Sequence, residues 1–298
     1  MTMPATDNRI ASDTAEIRRP LDEERDLYGL THTGRVRREN QDHFLICTVY
    51  PQVVIDASSL PDDHRIELRG QRLATIGMVA DGVGGSDGGS DASRLATETV
   101  MRYVVSTLRS YHAAGSAHED ALMKSLTDAA LQAHDAVRAE AATRNDPRPM
   151  ATTMTLALGV WPWCYVVQVG DSRCYYFDGT TFRQVTRDQT VAQQLVDAGA
   201  LPKDRLDRSP YKHVLASSIG GEEATPVLTR FDLRRSGTVL MCSDGLTRHV
   251  TDSEIEQQVR VMTSSAQLCK TLLDMALERG GHDNITIVAA RAPLVKKQ

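Results

Sequence analysis

The sequence predicts an α+β domain in which sheets are sandwiched between helices, because strand-like and helix-like segments come in blocks and not in strict alternation. Two pairs of amphipathic helical segments separate those blocks, with no internal repeat or low-complexity tract. A chain of 298 residues, 41% of them hydrophobic, suffices for one large domain or two small ones with a substantial core.

Residues 1–26 are polar, mixed in charge and aperiodic, which reads as a flexible N-terminal tail; the folded unit is expected to span 27–293, with a short tail at 294–298. Strand-like apolar runs at 42–50 and 73–80 come first. A helix over 93–109 then sets Leu95, Thr99, Tyr103 and Leu108 on one face, and a second over 119–142 repeats the pattern with Leu122, Leu126, Ala130, Ala133 and Val137. Strands are expected again at 154–161, 165–169, 174–177 and 238–242. Thr251 and Glu254 make a capping box ahead of Ile255, Val259 and Met262, and Ser264 opens a further helix that stops at Gly280 and Gly281. The run 285–290 is the last strand. Segments 51–71 and 188–223 read as insertions, the first carrying Pro51 and Pro61, the second a short helix and many charges.

The formal net charge of −5 argues against a nucleic-acid binder, which needs a basic surface to meet phosphates. Cys47, Cys164, Cys174, Cys242 and Cys269 are odd in number and contain no Cys-x-x-Cys pair, so they read as reduced core residues and not as disulfides or a zinc site. No apolar run approaches the roughly 18 residues that span a bilayer, and the first twenty residues lack the apolar stretch of a secretory signal. A cytoplasmic protein with no membrane partner is expected.

Five aspartates stand out by context: Asp42 in RRENQD, Asp81 in ADGVGG, Asp171 in VGDSR, Asp244 in CSDGL and Asp283 in GGHDN. A carboxylate just past an apolar run and beside glycine projects from the rigid edge of a sheet into a loop that another backbone can approach. Gly82, Gly84, Gly85, Gly88 and Gly89 after Asp81 could also lead a phosphate to a helix starting near Asp91, yet they match neither a Walker loop nor a dinucleotide fingerprint. Asp81, Asp244 and Asp283, gathered from distant strand ends, supply the hard oxygen ligands that hold Mg²⁺ or Mn²⁺.

At these residues the sequence resembles the protein phosphatase 2C family, the metal-dependent Ser/Thr protein phosphatases. The resemblance runs in order through TGRVRRENQD at 33–42, VADGVGG at 79–85, ATTMTLAL at 151–158, VGDSR at 169–173, TRDQT at 186–190, SDGLT at 243–247 and GGHDNITIVA at 280–289. It implies a four-layer α-β-β-α fold, a central β-sandwich of two mainly antiparallel sheets flanked by helix pairs. It implies that Asp81 bridges two metal ions, that the Gly82 carbonyl contributes to one, and that Asp244 and Asp283 hold the other. Asp171 resembles the acid that helps bind a third, weaker ion in bacterial members, Arg37 the arginine that grips the substrate phosphate, and Asn284 the neighbour that orients Asp283 and its waters. Segment 188–223 corresponds to the flap beside the active site of bacterial members.

The chemistry agrees with those roles. Two divalent ions about 4 Å apart lower the pKa of a shared water and stabilise an in-line displacement at phosphorus. The arginine fork donates two hydrogen bonds to phosphate oxygens while staying charged. Three positions depart from the family pattern. Gln41 stands where many members have Glu, which makes a water-held metal contact neutral, with Asp42 retained beside it as an outer-sphere helper. Val83 replaces the His of eukaryotic members, so leaving-group protonation falls to a metal-held water. His32 sits where Asp is common. His112, His118, His134, His249 and His282 read as structural or exposed.

The expected function is therefore a metal-dependent hydrolase acting on phosphoserine and phosphothreonine of proteins, with two or three Mn²⁺ or Mg²⁺ ions. Expected partners are phosphoproteins made by a Ser/Thr kinase, with the enzyme a monomer. The alternative is a pseudophosphatase or phosphoprotein-binding regulator of the same fold, for which Gln41 is the support and against which Asp81, Asp244 and Asp283 weigh.

Overall fold

A computed structural model describes residues 18–53, 68–84, 87–114, 119–144 and 150–293. Residues 1–17 of the expected tail, 54–67 of the first insertion and the 294–298 tail lie outside the described residues.

The chain begins with strands β1 (Asp26–His32), β2 (His43–Val49), β3 (Gln52–Val53), β4 (Leu68–Arg69), β5 (Ala74–Ala80) and β6 (Gly82–Val83), then helices α1 (Asp87–Ala114) and α2 (Glu119–Thr143). Next come β7 (Ala151–Thr152), β8 (Met154–Val160), β9 (Trp163–Val169), β10 (Arg173–Phe177), β11 (Phe182–Gln184), α3 (Val191–Asp197), β12 (Val227–Asp232) and β13 (Thr238–Cys242). Helices α4 (Asp244–Thr247), α5 (Asp252–Val261) and α6 (Ser265–Glu278) precede β14 (Ile285–Arg291).

Two five-stranded antiparallel sheets result, in the orders β1-β14-β13-β10-β11 and β12-β9-β8-β5-β2. The period-two alternation of each strand decides which layer a side chain enters. In β13, Val239 and Met241 join Val79, Ala157, Val166, Tyr176 and Val288 between the sheets, whereas Leu240 and Cys242 face Ile255 of α5 and Leu268 and Leu272 of α6. In β5, Ile76 and Met78 turn to Ala96, Val100, Leu126 and Ala130 of the α1–α2 pair. Three apolar layers between four structural layers give the expected α-β-β-α sandwich, and each fully buried aliphatic side chain stabilises it by about 1.5–3 kcal/mol.

Local signals set several boundaries. Thr251 and Glu254 form the predicted capping box at α5, and the Ser264 hydroxyl accepts from the Gln267 N–H at 3.0 Å to start α6. Helix α1 starts earlier than predicted, at Asp87, and takes Gly88 and Gly89 into its first turn. The reason is close packing: a Cβ on Gly82 would stand 2.3 Å from the Gly89 carbonyl oxygen, so tertiary contact overrides the poor helix propensity of glycine. Described residues before Leu27 also pack on the domain, where Glu24 pairs with Arg18 and, at 2.8 Å, with buried Arg235.

Candidate metal centre

Strand register brings all five singled-out aspartates to one rim of the sandwich. The pairs His43↔Ala80 and Met154↔Val169 in one sheet, and Arg173↔Cys242 and Cys242↔Ile287 in the other, align the strand ends from which they project. Asp42 precedes β2, Asp81 follows β5, Asp171 sits in the β9–β10 turn, Asp244 opens α4 after β13, and Asp283 precedes β14. The rim closes tightly at Gly245, where a Cβ would lie 1.9 Å from the Asn284 carbonyl oxygen, so the Asp244 and Asp283 loops touch backbone to backbone.

The Asp81 backbone is held at both ends. Its N–H donates to Thr153 Oγ1 at 3.0 Å, and its carbonyl accepts from the Thr153 N–H at 2.8 Å and from Thr152 Oγ1 at 2.9 Å. Thr153 Oγ1 in turn lies 2.7 Å from Ser172 Oγ, which connects the Asp81 loop to the Asp171 turn. These hydroxyls carry no role in the sequence reading. Their signal is a run of threonines, Thr152, Thr153 and Thr155, in a segment otherwise fully apolar and buried.

Asp42 lies beneath the cluster, 3% exposed. Its Oδ2 accepts from Ser243 Oγ at 2.8 Å and Thr286 Oγ1 at 2.7 Å, so this residue also ties loops together. Its Oδ1 is buried without a donor among the described residues. Burial pushes the Asp42 carboxyl up to about 6 despite those hydroxyls, with Asp244 adding repulsion. Desolvation raises Asp81 well above the carboxylate range, reinforced by Asp42, Asp244, Asp171 and Asp283. Asp171 is raised by burial and then by Asp244, and Asp244 by burial against the pull of Arg248. Crowded carboxylates that resist ionisation together, backed by an orphaned buried oxygen, are a donor set that fits hard divalent cations.

Two arginines meet these acids. Arg37, half exposed, forks onto Asp283, with Nε 2.8 Å from Oδ1 and a terminal nitrogen donating to Oδ2 at 2.9 Å. Arg248 donates through Nε to Asp244 Oδ2 at 2.9 Å and through a terminal nitrogen to the same oxygen, while its other terminal nitrogen lies 3.0 Å from Asp283 Oδ2. Sequence reasoning missed Arg248. Its four-residue spacing from Asp244 becomes meaningful only once α4 is known to start there. His213, from the 188–223 segment, also arrives at the rim, with Nδ1 3.9 Å from Asp244 Oδ2.

The neighbouring positions divide as follows. The Asn284 N–H donates to Asp283 Oδ1 at 2.9 Å, which orients that carboxylate, but its side-chain amide is taken up by the 33–41 loop through Thr33, Glu39 and Gln41. It therefore also staples the 33–41 loop beside Asp283. The Gln41 carbonyl accepts from Gly82 N–H at 3.2 Å. His32, without a role in the sequence reading, accepts the Gly34 N–H on Nδ1 at 2.9 Å. Val83 is exposed, and His249 and His282 stack at 5.0 Å between ring centroids. Arg173 fastens the base of the 188–223 segment through Asp188 at 2.7 Å. Cys164 and Cys269 are buried, with thiols pushed up to about 12 by desolvation.

Sandwich and acid rim together define the class of the domain, that of the metal-dependent phosphoprotein phosphatases. The sequence profile described as Protein phosphatase 2C matches residues 56–280, and the chain belongs to that family. The serine/threonine protein phosphatase PstP of Mycobacterium tuberculosis is 31% identical over 217 residues, 73% of this chain; the match spans 40% of that longer protein. The crystal structure of M. tuberculosis PstP/Ppp superposes with a TM-score of 0.70 at 25% identity, covering 91% of this chain and 99% of the other. The catalytic domain of PstP in complex with two manganese ions superposes with a TM-score of 0.66 at 24% identity, over 90% and 97% of the two chains.

Proposed function

We propose that this chain hydrolyses phosphoserine and phosphothreonine esters of proteins, with Mn²⁺ or Mg²⁺ held by Asp81, the Gly82 carbonyl, Asp244 and Asp283. The observation that carries the reading is the convergence of these three carboxylates, from strand ends of both sheets, next to an arginine fork. When bound, the ion pair activates water and stabilises charge at phosphorus.

The chain's own residues do the rest. The Thr152–Thr153 pair fixes the Asp81 backbone just ahead of Gly82, whose carbonyl would join the Asp81 carboxylate in holding an ion. With Asp283 holding a cation, the Arg37 fork would be free to offer its two parallel donors to two phosphate oxygens. The exposed setting of Arg37 fits a protein-borne phosphate that must approach from outside. The catalytic unit is 27–293, and the 188–223 segment, which carries His213 to the rim, acts as its flap. A Ser/Thr kinase as the source of substrate, a monomeric state and a cytoplasmic location belong to the same proposal. Among the described residues no helix is long and apolar enough to cross a membrane.

The test is phosphate release from a phosphothreonine peptide with and without Mn²⁺. Metal-dependent turnover that disappears in Asp244→Asn and Asp283→Asn is expected. Absence of turnover, with tight binding of the peptide retained, would replace the hydrolase with a phosphoprotein-binding regulator.

A further inference from the structure

We infer that Arg248 is a fixed cation standing in for a third metal ion, so that this centre runs on two. The inference rests on the phosphatase reading above. Asp171, Asp244 and His213 each bring one ligand atom within 4.8 Å of the others, the grouping a third ion would need. The oxygen of Asp244 that faces His213 is Oδ2, and Oδ2 is the atom to which Arg248 donates through both Nε and a terminal nitrogen. The remaining terminal nitrogen reaches Asp283 Oδ2 at 3.0 Å. One guanidinium thus occupies the Asp244 oxygen that faces His213 and bridges to Asp283.

Geometry keeps it there. Arg248 caps α4, its backbone N–H donating to the Asp244 carbonyl at 2.9 Å, so its side chain starts one helical turn from the acid it serves. Arginine stays charged at any working pH and donates in a planar fork, whereas a third dication would have to displace two hydrogen bonds and approach a permanent positive charge.

Charge balance favours the same count. Counted as formal charges, with every acid deprotonated as metal binding requires, Asp42, Asp81, Asp171, Asp244 and Asp283 sum with Arg37 and Arg248 to minus three. Two divalent ions turn this to plus one, which a phosphate dianion meets. A third would leave plus three, with Lys212 beside His213 adding to the repulsion.

The experiment counts metal and does not read activity. Mn²⁺ bound per full-length chain is measured by native mass spectrometry and by calorimetric titration in wild type, Arg248→Lys, Arg248→Ala and Arg248→Asp, with thermal melts to verify folding. Wild type and Arg248→Lys should bind two ions, Arg248→Asp should gain a third, and Arg248→Asp combined with Asp171→Asn should lose it again. Three ions in wild type, or two in every folded variant, overturn the inference while leaving the phosphatase reading intact. No Mn²⁺ bound by wild type sinks both.

Discussion

The Ser243 hydroxyl donates to the Asp42 carboxylate at 2.8 Å, joining the end of β13 in one sheet to the start of β2 in the other. Thr286 shares the same oxygen at 2.7 Å. Removing these donors leaves a buried carboxylate under-satisfied, so Ser243→Ala and Thr286→Val should each cost about 1–3 kcal/mol in urea unfolding.

The same carboxyl sets a pH dependence. Because the folded protein holds the Asp42 proton up to about 6 and the unfolded chain releases it near 3.8, the folded state binds more protons between those values. Stability of chelator-treated protein should therefore fall as pH rises through that window, and Asp42→Asn should flatten the slope. Melting temperatures at half-unit pH steps measure it; an unchanged slope in Asp42→Asn would assign the effect elsewhere.

Arg37 should act on substrate binding. Charge-assisted hydrogen bonds are worth roughly 1.5–3 kcal/mol, so Arg37→Ala should weaken kcat/KM toward a phosphopeptide by roughly tenfold to a hundredfold. Arg37→Lys should recover little of it, since a point charge cannot reproduce the two-point fork. Full recovery by lysine would reduce the role to bulk charge.

Glu254 works on the opposite side of the pH scale. Hydrogen bonds from Arg279 and then from the Thr251 cap hold it down to about 2, below the ordinary 4.5. The depressed folded value means that its contribution is present above 4.5 and lost as pH falls toward 2. Acid unfolding of Glu254→Gln should show a shallower limb in that window at low salt, and high salt should shrink the difference because the pair is exposed.

Gly245 admits no side chain. Gly245→Ala would drive a Cβ into the Asn284 carbonyl, at 1.9 Å, so it should destabilise by at least about 1–3 kcal/mol and spread the Asp244 and Asp283 loops. Loss of Mn²⁺ affinity beyond the loss of stability is the expected calorimetric result.

Legibility in the sequence mostly followed burial, with β2 the exception, an edge strand whose apolar run is nonetheless readable. Strands β5, β8, β9, β13 and β14 lie inside sheets, and their continuous apolar runs announce them. Strands β1, β11 and β12 were not recognisable, and all three are sheet edges, where Gly29, Arg183, Arg230 and Asp232 interrupt the pattern because one flank needs no partner. The aspartates were legible because glycine marks a tight approach. Arg248 was not, since an arginine four residues past an acid is ordinary until a helix start and a second carboxylate, Asp283, are placed around it. The threonines behind Asp81 escaped for a similar reason: their hydroxyls matter only through a strand end far away in sequence.

Asp81 follows a strand of one sheet, while Asp244 and Asp283 flank strands of the other, and among the described residues no backbone ladder joins the two. A cation held by all three would act as a noncovalent rivet through the sandwich. Loading the proposed centre and locking the two halves of the domain would then be a single event, so ion depletion would loosen the architecture as it silences the chemistry.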